Sequence, residues 1–158
     1  MKSLLILSTI ICQLLPGRAQ LSEFIDPTGT YILKGEVQKN RIMGHSGEIR
    51  AKLLDQNKVA LCFYINDGYP DYNAASFMDT LPYEDNTARY NSNRGAGCSL
   101  LFLFSYQSAE IEQTYSDPVA GCSFGKGIVV SAFFKRTSYD KPIIQDLSTH
   151  GMFSGFRK

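Results

Sequence analysis

The sequence predicts an all-β domain: a single small antiparallel up-and-down barrel of about eight strands, with a β-sandwich as the alternative. Three observations predict it. Short apolar or alternating runs recur about every 8–15 residues, bounded by Gly, Asn, Asp and Pro. No long helical period interrupts them. The links between runs are short and polar, which suits hairpins between sequential neighbours and favours the barrel over the sandwich.

The stretch 98–136 carries most of this signal. CSLLFLFS (98–105) is apolar at nearly every position, as expected of a short strand buried on both faces. AEIEQTY (109–115) alternates, with Glu110, Glu112 and Thr114 opposite Ile111, Gln113 and Tyr115, the period of a half-buried strand. SDPVAG (116–121) holds Pro118 and Gly121 and turns. GIVVSAFFK (127–135) is β-branched and aromatic, a third strand. Antiparallel pairing sets the start of the first strand beside the start of the third, so Cys98 and Cys122 fall at one end of the sheet. A bridge between them closes a 25-residue loop. Such a bridge contributes roughly 3–4 kcal/mol on the loop-entropy model.

Earlier runs extend the pattern. Residues 29–34 (GTYILK) begin the first strand after a lead-in at 21–28. Residues 35–47 read as a polar connection. EIRAKLL (48–54), the turn Asp55-Gln56-Asn57 and KVALCFYI (58–65) form a hairpin. NDGYPDYN (66–73) is a loop by composition. Two shorter strands, 76–83 and 87–90, flank Glu84-Asp85-Asn86, and NSNRGAG (91–97) is a second Gly- and Asn-rich loop.

The expected division is a signal peptide at 1–19, a barrel domain at 20–136 and a tail at 137–158, in which Pro142-Ile143-Ile144 are expected to pack back and 151–158 to stay mobile. Lys2 supplies the basic start, residues 4–15 the apolar run and Gly17-Arg18-Ala19 the cleavage site. The apolar run is too short for a stable membrane span. Cleavage after Ala19 exports the protein to the periplasm or the outside. A lipoprotein through Cys12 is disfavoured, because Ile11 stands where a small residue belongs. Without Lys2 and Arg18, 14 basic side chains face 15 acidic ones, a balance that excludes a general phosphate-backbone binder. An oxidising destination favours the Cys98–Cys122 disulfide and leaves Cys62 as a buried free thiol in mid-strand.

Catalytic and metal chemistry find little footing. His45 and His150 are the only histidines, and neither has metal-ligand spacing with another His or Cys. Ser123 lacks a nucleophile-elbow context. Gly125-Lys126-Gly127 lacks the spacing of a phosphate loop. Asp79, Glu84 and Asp85 are turn carboxylates by composition, and Asp67 and Asp71 lack calcium-loop spacing. The expectation is therefore no enzyme, no metal and no cofactor. The strongest functional hint is Tyr69 and Tyr72, in a loop with Gly68 and Pro70, because tyrosine gives large contact area with few rotatable bonds. Their alternative role is to fold back over the barrel mouth. Arg94 joins them as a candidate binding residue.

The layout GTYIL, GEIRAKLL, NKVALCFYI and CSFGKGIVVSAFFKR, with Cys98 upstream, resembles small exported β-barrel proteins of uncharacterised, Bacteroidetes-like bacterial families over residues 28–136. In architecture it is also similar to avidin-like proteins and periplasmic lysozyme inhibitors. Avidin-type biotin sites rely on tryptophan, and this chain has none. The resemblance implies a barrel and no particular activity. The functional expectation is a non-catalytic exported module that binds a protein or an envelope glycan through its rim loops. The alternatives are a lipocalin-like carrier of a small apolar ligand and a hydrolase.

Overall fold

Alternating side chains need a sheet with one buried face, and the computed structural model supplies one closed on itself. It describes residues 23–92, 97–114 and 130–148. Ten strands follow in order: β1 Gly29–Leu33, β2 Glu36–Gln38, β3 Arg41–Met43, β4 Ser46–Asp55, β5 Lys58–Asn66, β6 Ala74–Glu84, β7 Thr87–Asn91, β8 Ser99–Phe104, β9 Ser108–Thr114 and β10 Ala132–Ser138. Eight of them close an antiparallel barrel in the order β1-β10-β9-β8-β7-β6-β5-β4, and β2 and β3 form a separate two-stranded ribbon. Apart from that ribbon, each barrel strand pairs with its neighbour in sequence, the up-and-down arrangement.

Register fixes two rims. Leu33 of β1 pairs with Gly47, and Ser46 with Asn66, so the β2–β3 ribbon and the β5–β6 loop share one end, the upper rim. Asn91 pairs with Ser99 and Ser99 with Thr114, so the links after β7 and β9 leave from that end too. The turns after β4, β6 and β8 lie at the lower rim.

The interior is filled with rings. Phe63 meets Phe77, Phe102 and Phe134 with centroids 5.6, 5.9 and 6.2 Å apart. Lower down, Phe104 meets Tyr31 at 5.6 Å and Tyr83 at 5.9 Å. Ile49, Leu61, Ile65, Leu100 and Ile111 pack around them, all buried.

The lead-in closes the lower rim. Tyr31 Oη donates to Pro27 O (2.8 Å), and Tyr83 Oη to Ile25 O (2.6 Å). Asn86 accepts from Ile25 N and donates to Glu23 O. The Arg136 guanidinium donates to the carbonyls of Asp26, Thr28 and Tyr106, and its carbon lies 4.1 Å from the Tyr139 ring centroid. Burial pushes the Tyr31 hydroxyl up to about 12, with Arg136 opposing the rise.

Several expectations are corrected. Residues 35–47 are not a plain connection: EVQ and RIM pair across a two-residue turn in which Lys39 (φ 48°) and Asn40 (φ 60°) are both left-handed. That is the primed turn whose twist matches a β-ribbon. β8 is not buried on both faces. Leu100, Phe102 and Phe104 point inward, while Leu101 and Leu103 are half-buried on the outside, because a barrel strand has only one core face. β10 runs later than 127–135, from Ala132 to Ser138, since its register is set by Phe134, which fills the core opposite Ala109.

The tail crosses the outside of β4 and β5. Arg50 Nη1 donates to Ile143 O (3.4 Å), Gln145 hydrogen-bonds Cys62, and Leu147 is buried. Backbone and Leu147 do the packing, whereas the Ile143 side chain points to solvent, 73 % exposed. Cys62 is a free, buried thiol, as read from the sequence. Burial pushes its thiol up. Cys98 is buried at the upper rim. Cys122, Ser123, the 125–127 glycines, His150 and residues 151–158 lie outside the described residues.

Candidate functional site at the upper rim

The site is built by two elements that brace each other. Asn66, ending β5, folds the loop: its Oδ1 accepts from Gly68 N (2.7 Å) and its Nδ2 donates to Tyr72 O (2.8 Å). Asp67 N donates to Asn73 O and Tyr72 N to Gly68 O, so the loop ties its own ends. The ribbon then docks. Tyr69 N donates to Ile42 O at 2.7 Å, and Met43 bridges Tyr69 in parallel. Gly68 (φ +75°) permits this approach, since a Cβ there would stand 2.4 Å from Gly44 O and 2.7 Å from Ile42 O.

A second contact joins the same elements. His45 Nε2, in the β3–β4 link, lies 3.3 Å from Asp67 Oδ1. That buried oxygen has no partner with hydrogen-bond geometry, so the two groups touch without a directed bond.

Tyr69 and Tyr72 are brought together, 41 % and 44 % exposed, with centroids 6.4 Å apart and planes at 76°. The Arg41 guanidinium carbon lies 4.3 Å from the Tyr69 ring centroid, a cation–π contact. Tyr72 holds a left-handed backbone (φ 51°). For a bulky side chain that conformation costs on the order of 1–3 kcal/mol, and it persists where the surroundings over-determine it. Here Asn66 and Gly68 do so. Neither tyrosine belongs to the buried core.

Sequence reasoning missed Arg41, because EVQ and RIM are too short on either side of their turn to show a period. Arg94 lies outside the described residues, but its link leaves and re-enters the barrel at this same rim, where Ser92 N donates to Cys98 O.

The remaining candidates stay apart. Asp79 pairs with Leu61, five residues down β5 from Asn66, about 17 Å from the His45 end at strand rise. Glu84 and Asp85 sit at the lower rim, where with Asp55 and Phe24 they line a groove of about 790 Å³. Among the described residues, no three His, Cys, Asp or Glu side chains group as metal ligands, and no helix is long and apolar enough to cross a membrane. No protein-family model, curated protein or solved structure matches the chain.

Proposed function

We propose that this chain is an exported, non-catalytic recognition module that engages a protein or cell-envelope glycan through the upper rim. The observation that carries the reading is Tyr72: a large aromatic side chain held at left-handed φ and kept half in solvent. The bonds from Asn66 and Gly68 hold that backbone, and they leave the ring presented to solvent beside Tyr69. The barrel supports the reading as a scaffold, since its filled interior and strapped lower rim leave the rim elements free to vary. A carrier would need room along the axis, where Phe63, Phe77, Phe102 and Phe134 are in ring contact.

The test is co-sedimentation of the purified mature chain with cell envelopes of its source organism. The Tyr69→Ala/Tyr72→Ala double variant should lose retention with an unchanged far-UV spectrum; equal retention sinks the site. Export and the staple belong to the same proposal. The secreted protein should begin at Gln20, and unreduced, denatured mature chain should show one reactive thiol, that of Cys62, with Cys98 bridged to Cys122. Support for the staple is that Cys98 lies buried at the rim from which the link after β9, which carries Cys122 in the sequence, departs.

A further inference from the structure

We propose that the upper-rim site takes an acidic saccharide, its carboxylate forked on Arg41 and the C–H face of its ring against Tyr72; this rests on the rim reading above. The β2–β3 pairs are Glu36 with Met43, Val37 with Ile42 and Gln38 with Arg41. Period two therefore puts Glu36, Gln38, Arg41 and Met43 on one face, and Val37 and Ile42 on the other. Tyr69 lies alongside Met43, and the Arg41 contact puts its ring on that first face. One exposed surface thus gathers a carboxylate, a carboxamide, a guanidinium and two aromatic rings.

Each of the three polar groups is planar and presents two coplanar atoms, the spacing at which adjacent ring hydroxyls are bound in pairs. Glu36 and Gln38 already hold each other at 2.9 Å, which orients both. Arg41 differs. Its guanidinium makes no hydrogen bond or ion pair with any described residue, and its carbon rests 4.3 Å from the Tyr69 ring centroid. A guanidinium held against a ring with its donors open matches a carboxylate, which it binds through two parallel bonds.

A neutral sugar would not use the two parallel donors of that fork. An acidic peptide would answer it, but it has no stiff C–H face for Tyr72 and pays backbone ordering on binding. The perpendicular Tyr69–Tyr72 corner fits a rigid ring standing on the Arg41 fork.

Calorimetric titration of the full mature chain tests this. The probes are oligomers of galacturonate, glucuronate and mannuronate, the methyl ester of whichever binds, and hexaglutamate. One uronate should bind saturably. Its ester, and the Arg41→Met and Tyr72→Ala variants with unchanged far-UV spectra, should each weaken binding by about tenfold or more. Arg41→Lys should restore only part of the loss, because an ammonium cannot fork. Equal binding of the ester overturns the carboxylate role. Equal binding of hexaglutamate overturns the saccharide, leaving a bare anion site. No uronate bound overturns the inference outright, while envelope retention that still depends on Tyr69 and Tyr72 would leave the rim reading standing.

Discussion

Replacing Gly68 by Ala should undock the ribbon from the tyrosine loop, and Gly44 is the internal control. Both glycines are left-handed, at φ +75° and +71°. Alanine at either costs about 1–2 kcal/mol for conformation alone. A Cβ at Gly44 meets nothing within 4 Å, so that variant should stop there. A Cβ at Gly68 lands 2.4 Å from Gly44 O and 2.7 Å from Ile42 O, both backbone atoms that cannot rotate aside. The loop must retreat, and the Tyr69 N–H to Ile42 bond goes with it. Losing that bond costs about another 1 kcal/mol. Gly68→Ala should therefore destabilise by about 2–3 kcal/mol, and Gly44→Ala by about half of that. Urea unfolding followed by far-UV circular dichroism gives both numbers. Hydrogen exchange at the Tyr69 amide reads the undocking directly. Equal costs for the two variants, with Tyr69 equally protected in both, would refute the claim that close backbone contact at Gly68 holds the rim together.

Three further outcomes follow from the core, the lower rim and the tail. Phe63→Ala should cost about 3–5 kcal/mol in the same urea assay, because it empties the centre of four touching rings. Stability should be flat up to about pH 10 and fall towards pH 12. The unfolded chain ionises Tyr31 near pH 10 while the fold keeps it neutral to about 12, a contribution of about 2–3 kcal/mol that fades as pH rises. Tyr31→Phe should lessen that fall, part of which belongs to Tyr83, whose hydroxyl is also pushed up by burial, and a slope unchanged in the variant would refute the assignment. Truncation after Tyr139 should turn Cys62 from slow to fast in thiol labelling under native conditions, since the tail at Ile143–Leu147 is what covers it; equally slow labelling would show that β5 alone shields the sulfur.

The barrel was legible because period-two alternation and polar links survive in single sequences. Glu110 and Glu112 against Ala109 and Ile111 announce which face is wet, and the structure agrees. The β2–β3 ribbon was not legible. Its strands have three residues each, too few to show a period, and Lys39-Asn40 lacks the glycine that usually marks a primed turn. The start of β10 was misplaced for a related reason: 127–135 is β-branched or aromatic over much of its length, and only partners on β9 and β1 choose its register. Tyr69 and Tyr72 stood out by residue type alone. Arg41 did not, because its role depends on a ribbon that brings it over a ring from a distant part of the chain.

The barrel wall between β6 and β7 is protected against strand addition. Among the described residues, β6 pairs with β7 only at Tyr83–Ala88 and Glu84–Thr87. Tyr83 N points to the β5 side, donating to Asn57 O, so Glu84, Pro82 and Thr80 direct their backbone groups to the β7 side. Pro82 has no N–H to give, and the ladder stops there. Above it Thr80 N is taken by Asp79 Oδ1 at 2.7 Å. Phe77 and Tyr90 stack across the gap with centroids 4.2 Å apart. A proline, a side-chain cap and an aromatic stack are devices that blunt a sheet edge against strand addition. A partner that added a strand to β6 would meet one missing donor and one donor already occupied. At the upper rim the Tyr69 N–H is given to Ile42 O, and Tyr69, Tyr72 and Arg41 stand exposed. On the recognition reading proposed above, the wall therefore leaves the work to side chains at the upper rim.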